Sequence, residues 1–112
     1  MYSSLKPESL GKEAENFAFR ALKNNGHRII VRNFKTKNGE IDLISQKDDV
    51  IYINEVKKRT YFEENCVKQS QIERIWHTFE DFLKIYPQYE IFEAIIQLLL
   101  VSKNTITIHE IL

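Results

Sequence analysis

A chain of 112 residues holds one domain with one core and is too short for two ordinary ones, so residues 1–112 are read as a single domain. With 43% apolar and 29% charged residues the composition is that of a folded globular chain, which excludes disordered and fibrous classes. The formal net charge is zero, yet residues 1–59 carry twelve Lys/Arg against eight Asp/Glu, a balance of +4, and residues 60–112 carry four against eight, a balance of −4. A phosphate backbone responds to local charge, so the asymmetry either marks a basic partner surface or is a chance split.

The first helix is expected from about Pro7 or Glu8 to Asn25. Leu10, Ala14, Phe17, Ala18, Ala21 and Leu22 recur at three- and four-residue steps, and Asn24-Asn25-Gly26 is a stop signal. A strand follows, roughly His27 to Phe34. Lys37-Asn38-Gly39 then reads as a hairpin turn with Asn-Gly at its centre in positive φ. A second strand is expected from Glu40 to Gln46, a turn at Lys47-Asp48-Asp49, and a third strand from Val50 to about Arg59. Val50, Ile51, Tyr52, Ile53 and Val56 are apolar on both faces, the pattern of a central strand covered on both sides.

After a polar stretch from Thr60 to Asn65, a second helix is expected from about Val67 to Ile85. Its stripe is Ile72, Ile75, Trp76, Phe79, Phe82 and Leu83, and Tyr86-Pro87 ends it. Two strands close the chain, Glu90 to Ser102 and Thr105 to Ile111. The order α-β-β-β-α-β-β implies an α/β fold, a mixed sheet flanked by helices.

The run Leu98-Leu99-Leu100-Val101 is far shorter than the roughly 20 apolar residues of a membrane helix, so no membrane partner is expected. The start Met1-Tyr2-Ser3-Ser4 lacks the apolar stretch of an export signal. A single cysteine, Cys66, fits a reducing cytoplasm.

The chemistry concentrates in Gly39-Glu40-Ile41-Asp42-Leu43-Ile44 and, after a turn, Ile53-Asn54-Glu55-Val56-Lys57. Alternation along a strand points Glu55 and Lys57 to one face, and antiparallel pairing can bring Asp42 beside Glu55. Charges gathered on an apolar strand are costly unless paired or bound to a metal. Carboxylates are hard ligands for Mg²⁺ or Mn²⁺, and Asp42, Glu55 and the Val56 carbonyl make a reasonable set. Such an ion neutralises charge on a scissile phosphate, and Lys57 is a natural partner for phosphate oxygens. The alternative is a structural salt bridge at the end of a strand.

Four features of the chain belong together: Gly11-x-x-x-Glu15-x-x-Ala18-x-x-x-Leu22, Arg32-Asn33, Gly39-Glu40-Ile41-Asp42-Leu43-Ile44 and Glu55-Val56-Lys57-x-Arg59. With them the chain resembles the YraN family, small bacterial proteins predicted to be relatives of Holliday-junction resolvases in the PD-D/E-X-K nuclease superfamily. The resemblance implies a restriction-endonuclease-like α-β-β-β-α-β core and Asp42, Glu55 and Lys57 as a catalytic trio. It also implies that Glu15 joins the metal ligands, and that DNA is cleaved with Mg²⁺ or Mn²⁺. Relatives that cut symmetric junctions do so as dimers, so a homodimer is a further expectation. The chain departs from the family pattern at Gln71, where a basic residue is common, at Phe92-Glu93 in place of Phe-Asp, and at Asn54, where the position is usually apolar.

Arg28, Arg32, Lys35 and Lys37, with Lys57, Lys58 and Arg59, either flank a nucleic-acid cleft or form a solvated basic face. Tyr61 and Phe62 are either base-stacking groups or local packing. Glu40 either supports Asp42 or is a charge at the end of a turn. The function expected is a metal-dependent DNA endonuclease, with a non-catalytic nucleic-acid-binding or assembly module as the alternative.

Overall fold

The protein is described by a computed structural model that covers residues 7–59 and 67–111. Helix α1 spans Pro7–Asn24, followed by strands β1 (Arg28–Thr36), β2 (Gly39–Lys47) and β3 (Val50–Lys58). Helix α2 spans Gln69–Ile85, a 3-10 turn covers Pro87–Tyr89, and strands β4 (Glu93–Ser102) and β5 (Thr105–Glu110) complete the chain. One five-stranded sheet has the order β1-β2-β3-β4-β5, with β3 and β4 parallel and the other pairs antiparallel. The α/β architecture expected from the sequence is the one observed.

The central strand β3 is covered on both faces. On one side Ala14, Ala18 and Leu22 of α1 pack with Leu43, Leu99 and Val101, and Val56 lies against this cluster. On the other, Ile75, Phe79 and Phe82 of α2 pack with Ile41, Ile44, Ile51, Ile53 and Ile96. Each large aliphatic or aromatic side chain so buried contributes roughly 1.5–3 kcal/mol. Helix α2 also carries the crossover that joins parallel β3 and β4. It ends where the Tyr86 N–H bonds to the Phe82 carbonyl and Pro87 follows. At the end of α1, Gly26 takes φ +89° while the His27 N–H returns to the Leu22 carbonyl.

The first hairpin differs from expectation. Its loop is Lys37-Asn38, since Thr36 pairs with Gly39, and Asn38 does not take positive φ. Side chains set this register. The Asn38 N–H donates to Thr36 Oγ1, and Thr36 and Asn38 both donate to Asp81 of α2 at 2.7 Å. Gly39 serves a different need, for at φ +152° a Cβ there would lie 3.0 Å from Thr78 Oγ1. The segment before β4 also differs, because the 3-10 turn at Pro87–Tyr89 is followed by a further turn over residues 90–92, so the strand begins at Glu93 rather than Glu90. Among the described residues no helix is long and apolar enough to cross a membrane.

Candidate active site

The β2–β3 ladder runs from Lys47↔Val50 to Leu43↔Asn54 and stops there, although both strands continue. The next residues along are Asp42 and Glu55. In place of another rung, the Val56 N–H donates to Asp42 Oδ2 at 2.8 Å. A side chain thus takes over a backbone bond, and Asp42 is fixed where the strands part.

Glu55 falls on the alternation of Ile51 and Ile53, toward α2, where Gln71 Nε2 donates to its Oε2 at 2.9 Å. Burial pushes the Glu55 carboxyl up to about 8, and the Asp42 charge and their mutual hydrogen bond add to this. Gln71 and Lys57 oppose the shift, so Lys57 acts on the same group.

Glu15 approaches Asp42 from α1. Burial first and Asp42 second raise its carboxyl, against a hydrogen bond from Asn33 and the charges of Lys12 and Arg32. Its Oε1 is buried without a hydrogen-bond partner. The three carboxylates expected from the sequence are therefore coupled, Glu15 and Glu55 each to Asp42.

Among the described residues no group of three His, Cys, Asp or Glu side chains has the spacing of a complete metal site. The donor set suits an ion that keeps most of its water, as Mg²⁺ does when one or two carboxylates hold it. The unpartnered Glu15 Oε1, and the Glu15 and Glu55 carboxyls raised first by burial and then by the Asp42 charge, mark buried negative groups that a bound cation would stabilise. On these grounds the residues fit a hard divalent cation.

A small cavity of about 150 Å³ opens beside Glu55, lined by Gly39, Glu40, Gln71, Arg74 and Ile75. Arg74 was not among the residues singled out from the sequence. Its position three residues after Gln71 on α2 is the signal that would have found it, since such residues share a helix face. Glu40 is exposed and reaches this cavity.

The basic residues divide. Lys35 and Lys37 are exposed near the tip of the first hairpin, and Lys58 and Arg59 are exposed at the end of β3. Because β2 runs antiparallel to β3, both groups lie at the end of the sheet that carries Asp42 and Glu55. Arg28 lies at the opposite end, bonded to Gln46 and Tyr89. Arg32 is held by α1, donating to Asn16 Oδ1 at 2.6 Å and stacking over Phe19 at 4.6 Å. Tyr61, Phe62 and Cys66 lie outside the described residues.

Asn54 is fully buried and saturated. Its Nδ2 donates to the Leu43 carbonyl, Ser45 Oγ and the Tyr52 carbonyl, and its Oδ1 accepts from Gln97 Nε2 at 2.7 Å. Ser45 in turn bonds His27 Nδ1 at 2.9 Å. This network clamps β2, β3 and β4 one residue before Glu55, which accounts for a polar side chain at that position.

The family model for the Uncharacterised protein family UPF0102 matches residues 14–101. The chain belongs to this family. It is the family of the YraN resemblance. A UPF0102 protein of Acinetobacter baylyi is 45% identical over 87 residues, 74% of this chain and 62% of that protein. One of Campylobacter hominis is 45% identical over 53 residues, 47% of each chain. One of Rhodopseudomonas palustris is 35% identical over 101 residues, 88% of this chain and 78% of that protein. The alignments thus span less than two thirds of the first two of these UPF0102 relatives and more than two thirds of the third.

Proposed function

We propose that this UPF0102 protein is a divalent-metal-dependent endonuclease that hydrolyses phosphodiester bonds in DNA, with branched or otherwise structured DNA as the substrate class. The observation that carries the reading is the meeting of Asp42 and Glu55 where β2 and β3 part, with Glu55 raised to about 8 and Lys57 acting on it.

In this reading Asp42 and Glu55 hold Mg²⁺ or Mn²⁺, with the Val56 carbonyl and Glu15 as the remaining protein donors. When bound, the ion supplies charge neutralisation at the phosphate and acidifies water. The chain's own residues do the rest. The Val56 N–H orients Asp42, and Gln71 orients Glu55. Lys57 places an ammonium near the carboxylate pair, suited to phosphate oxygens or to guiding a proton from the attacking water. Arg74, in the cavity beside Glu55, presents a guanidinium whose fork matches a phosphate.

The test is a cleavage assay with Mg²⁺ and with Mn²⁺ on duplex, single-stranded, flap and four-way-junction DNA, with Asp42→Asn as control. Metal-dependent cleavage that disappears in the variant is expected, with Lys57→Ala losing turnover but keeping metal binding. Cleavage that survives in Asp42→Asn overturns the site. DNA binding without cleavage of any substrate replaces the enzyme with a non-catalytic binding module.

A further inference from the structure

A second concave site lies on the α1 side of the sheet, opposite the face that Glu55 shares with α2. It is a cleft of about 450 Å³ between α1 and the β4–β5 turn. Three cations from three separate elements line it: Arg20 of α1, Lys58 at the end of β3 and Lys103 of the turn. Glu13 is the one carboxylate in the lining. No carboxylate among the described residues forms an ion pair with any of the three cations.

The placement is built into the backbone. Lys103 sits at φ +53° in a two-residue turn closed by the Ser102↔Thr105 pair, and Lys58 is opposite Val101 on the parallel β3–β4 ladder. Like charges brought together on a concave surface repel, and an anion entering between them removes that cost. The lining also includes Phe17 and Asn16. Arg32 occupies Asn16 Oδ1, which leaves the Asn16 amide as a donor, and Phe17, partly buried against the α1 cluster, adds an aromatic ring to the lining. Cations, an amide donor and an aromatic ring in one groove suit a phosphate joined to a base, the repeating unit of a nucleic-acid strand.

The cleft lies at the same end of the sheet as the carboxylate site, on the other face. Lys57 and Lys58 are adjacent on β3, so alternation sends them to opposite faces. Lys57 acts on Glu55, and Lys58 lines the cleft. Both lie at the end of the sheet where β2 and β3 part. We infer that the cleft of Arg20, Lys58 and Lys103 is a second contact site for a nucleic-acid strand, holding its phosphate backbone on the α1 side as the strand crosses that end of the sheet. The inference rests on the nucleic-acid reading above for its class of ligand and does not require cleavage.

The experiment is fluorescence anisotropy with a labelled oligothymidylate of about 12 nucleotides, a length within the usual single-strand site size, on the full chain with EDTA present. The variants are Arg20→Gln, Lys58→Gln and Lys103→Gln, with Lys84→Gln in the last turn of α2 as control. Each cleft variant is expected to weaken binding about 3- to 10-fold and to lower the slope of log affinity against log salt by about 0.7, one phosphate contact on a single strand. Lys84→Gln is expected to bind as the unsubstituted chain does. Cleft variants that bind no more weakly than Lys84→Gln overturn the inference. So does complete competition by millimolar inorganic phosphate, which would make the cleft a site for the free ion. Because the readout needs neither metal nor turnover, absence of cleavage leaves it standing, and cleavage with unaffected binding removes the cleft alone.

Discussion

The Val56 N–H donates to Asp42 Oδ2 at 2.8 Å at the point where β2 and β3 stop pairing. The carboxylate therefore has two tasks, closing a backbone bond and charging the site. Its Oδ2 accepts from Val56, while the charge of the carboxylate acts on both Glu55 and Glu15.

Substitutions at Asp42 should separate these tasks. Asp42→Asn keeps an acceptor for the Val56 N–H and loses the charge. It should fold normally, and cleavage should fall by more than about 100-fold, as when a group acting on a reacting phosphate is removed. Asp42→Ala also removes the acceptor and should cost a further ~1–2 kcal/mol in chemical denaturation. In both variants the Glu55 carboxyl should titrate lower, because its like-charged neighbour is gone. Carboxyl-resolved NMR titration reads this directly, and an unchanged Glu55 would separate the two groups.

The pH dependence of the metal-free chain carries the sign of Glu55. Its folded value of about 8 lies above its ordinary value of 4.5, so the folded state holds the proton more tightly. Below 4.5 both states are protonated and Glu55 adds no cost. Between 4.5 and 8 the unfolded state loses its proton first, so stability falls as pH rises through this window and levels off above it. In EDTA, Glu55→Gln should flatten this slope and be more stable at pH 8, by an amount on the order of 3 kcal/mol. Urea denaturation across pH checks it, and a slope unchanged in the variant would remove Glu55 as its source.

Gly39 should tolerate no side chain. At φ +152° and with a Cβ 3.0 Å from Thr78 Oγ1, Gly39→Ala meets both backbone strain and a close contact. Destabilisation of about 1–3 kcal/mol is expected. Adding Thr78→Ala should recover only part of it, since that change relieves the contact and leaves the backbone. Full recovery in the double variant would assign the whole cost to the contact.

Much of the fold was legible in the sequence because periodicity is a local property. The stripe of Ala14, Ala18 and Leu22 specified the buried face of α1, and the two-sided apolar run from Val50 to Val56 specified a central strand. Alternation placed Glu55 and Lys57 on one face, and the short turn at Asp48-Asp49 allowed Asp42 to approach them. The hairpin loop lies one residue earlier than Asn38-Gly39 predicts, and Asp81, far along the chain, holds Thr36 and Asn38 there.

What the tertiary structure alone decided depends on distances between residues remote in sequence. The parting of β2 from β3 turned Asp42 into a cap for Val56, and the crossing of α2 brought Gln71 and Arg74 to Glu55. Packing of α1 withdrew Arg32 from the exposed cations, and the run of β1 carried Arg28 to the far end of the sheet. The protonation of Glu55 belongs to the same class, because burial and a neighbouring charge set it and neither can be counted along a chain. The sequence by itself determined which residues could carry the chemistry, through spacing and type. Desolvation and long-range contact determined which of them meet and in what charge state.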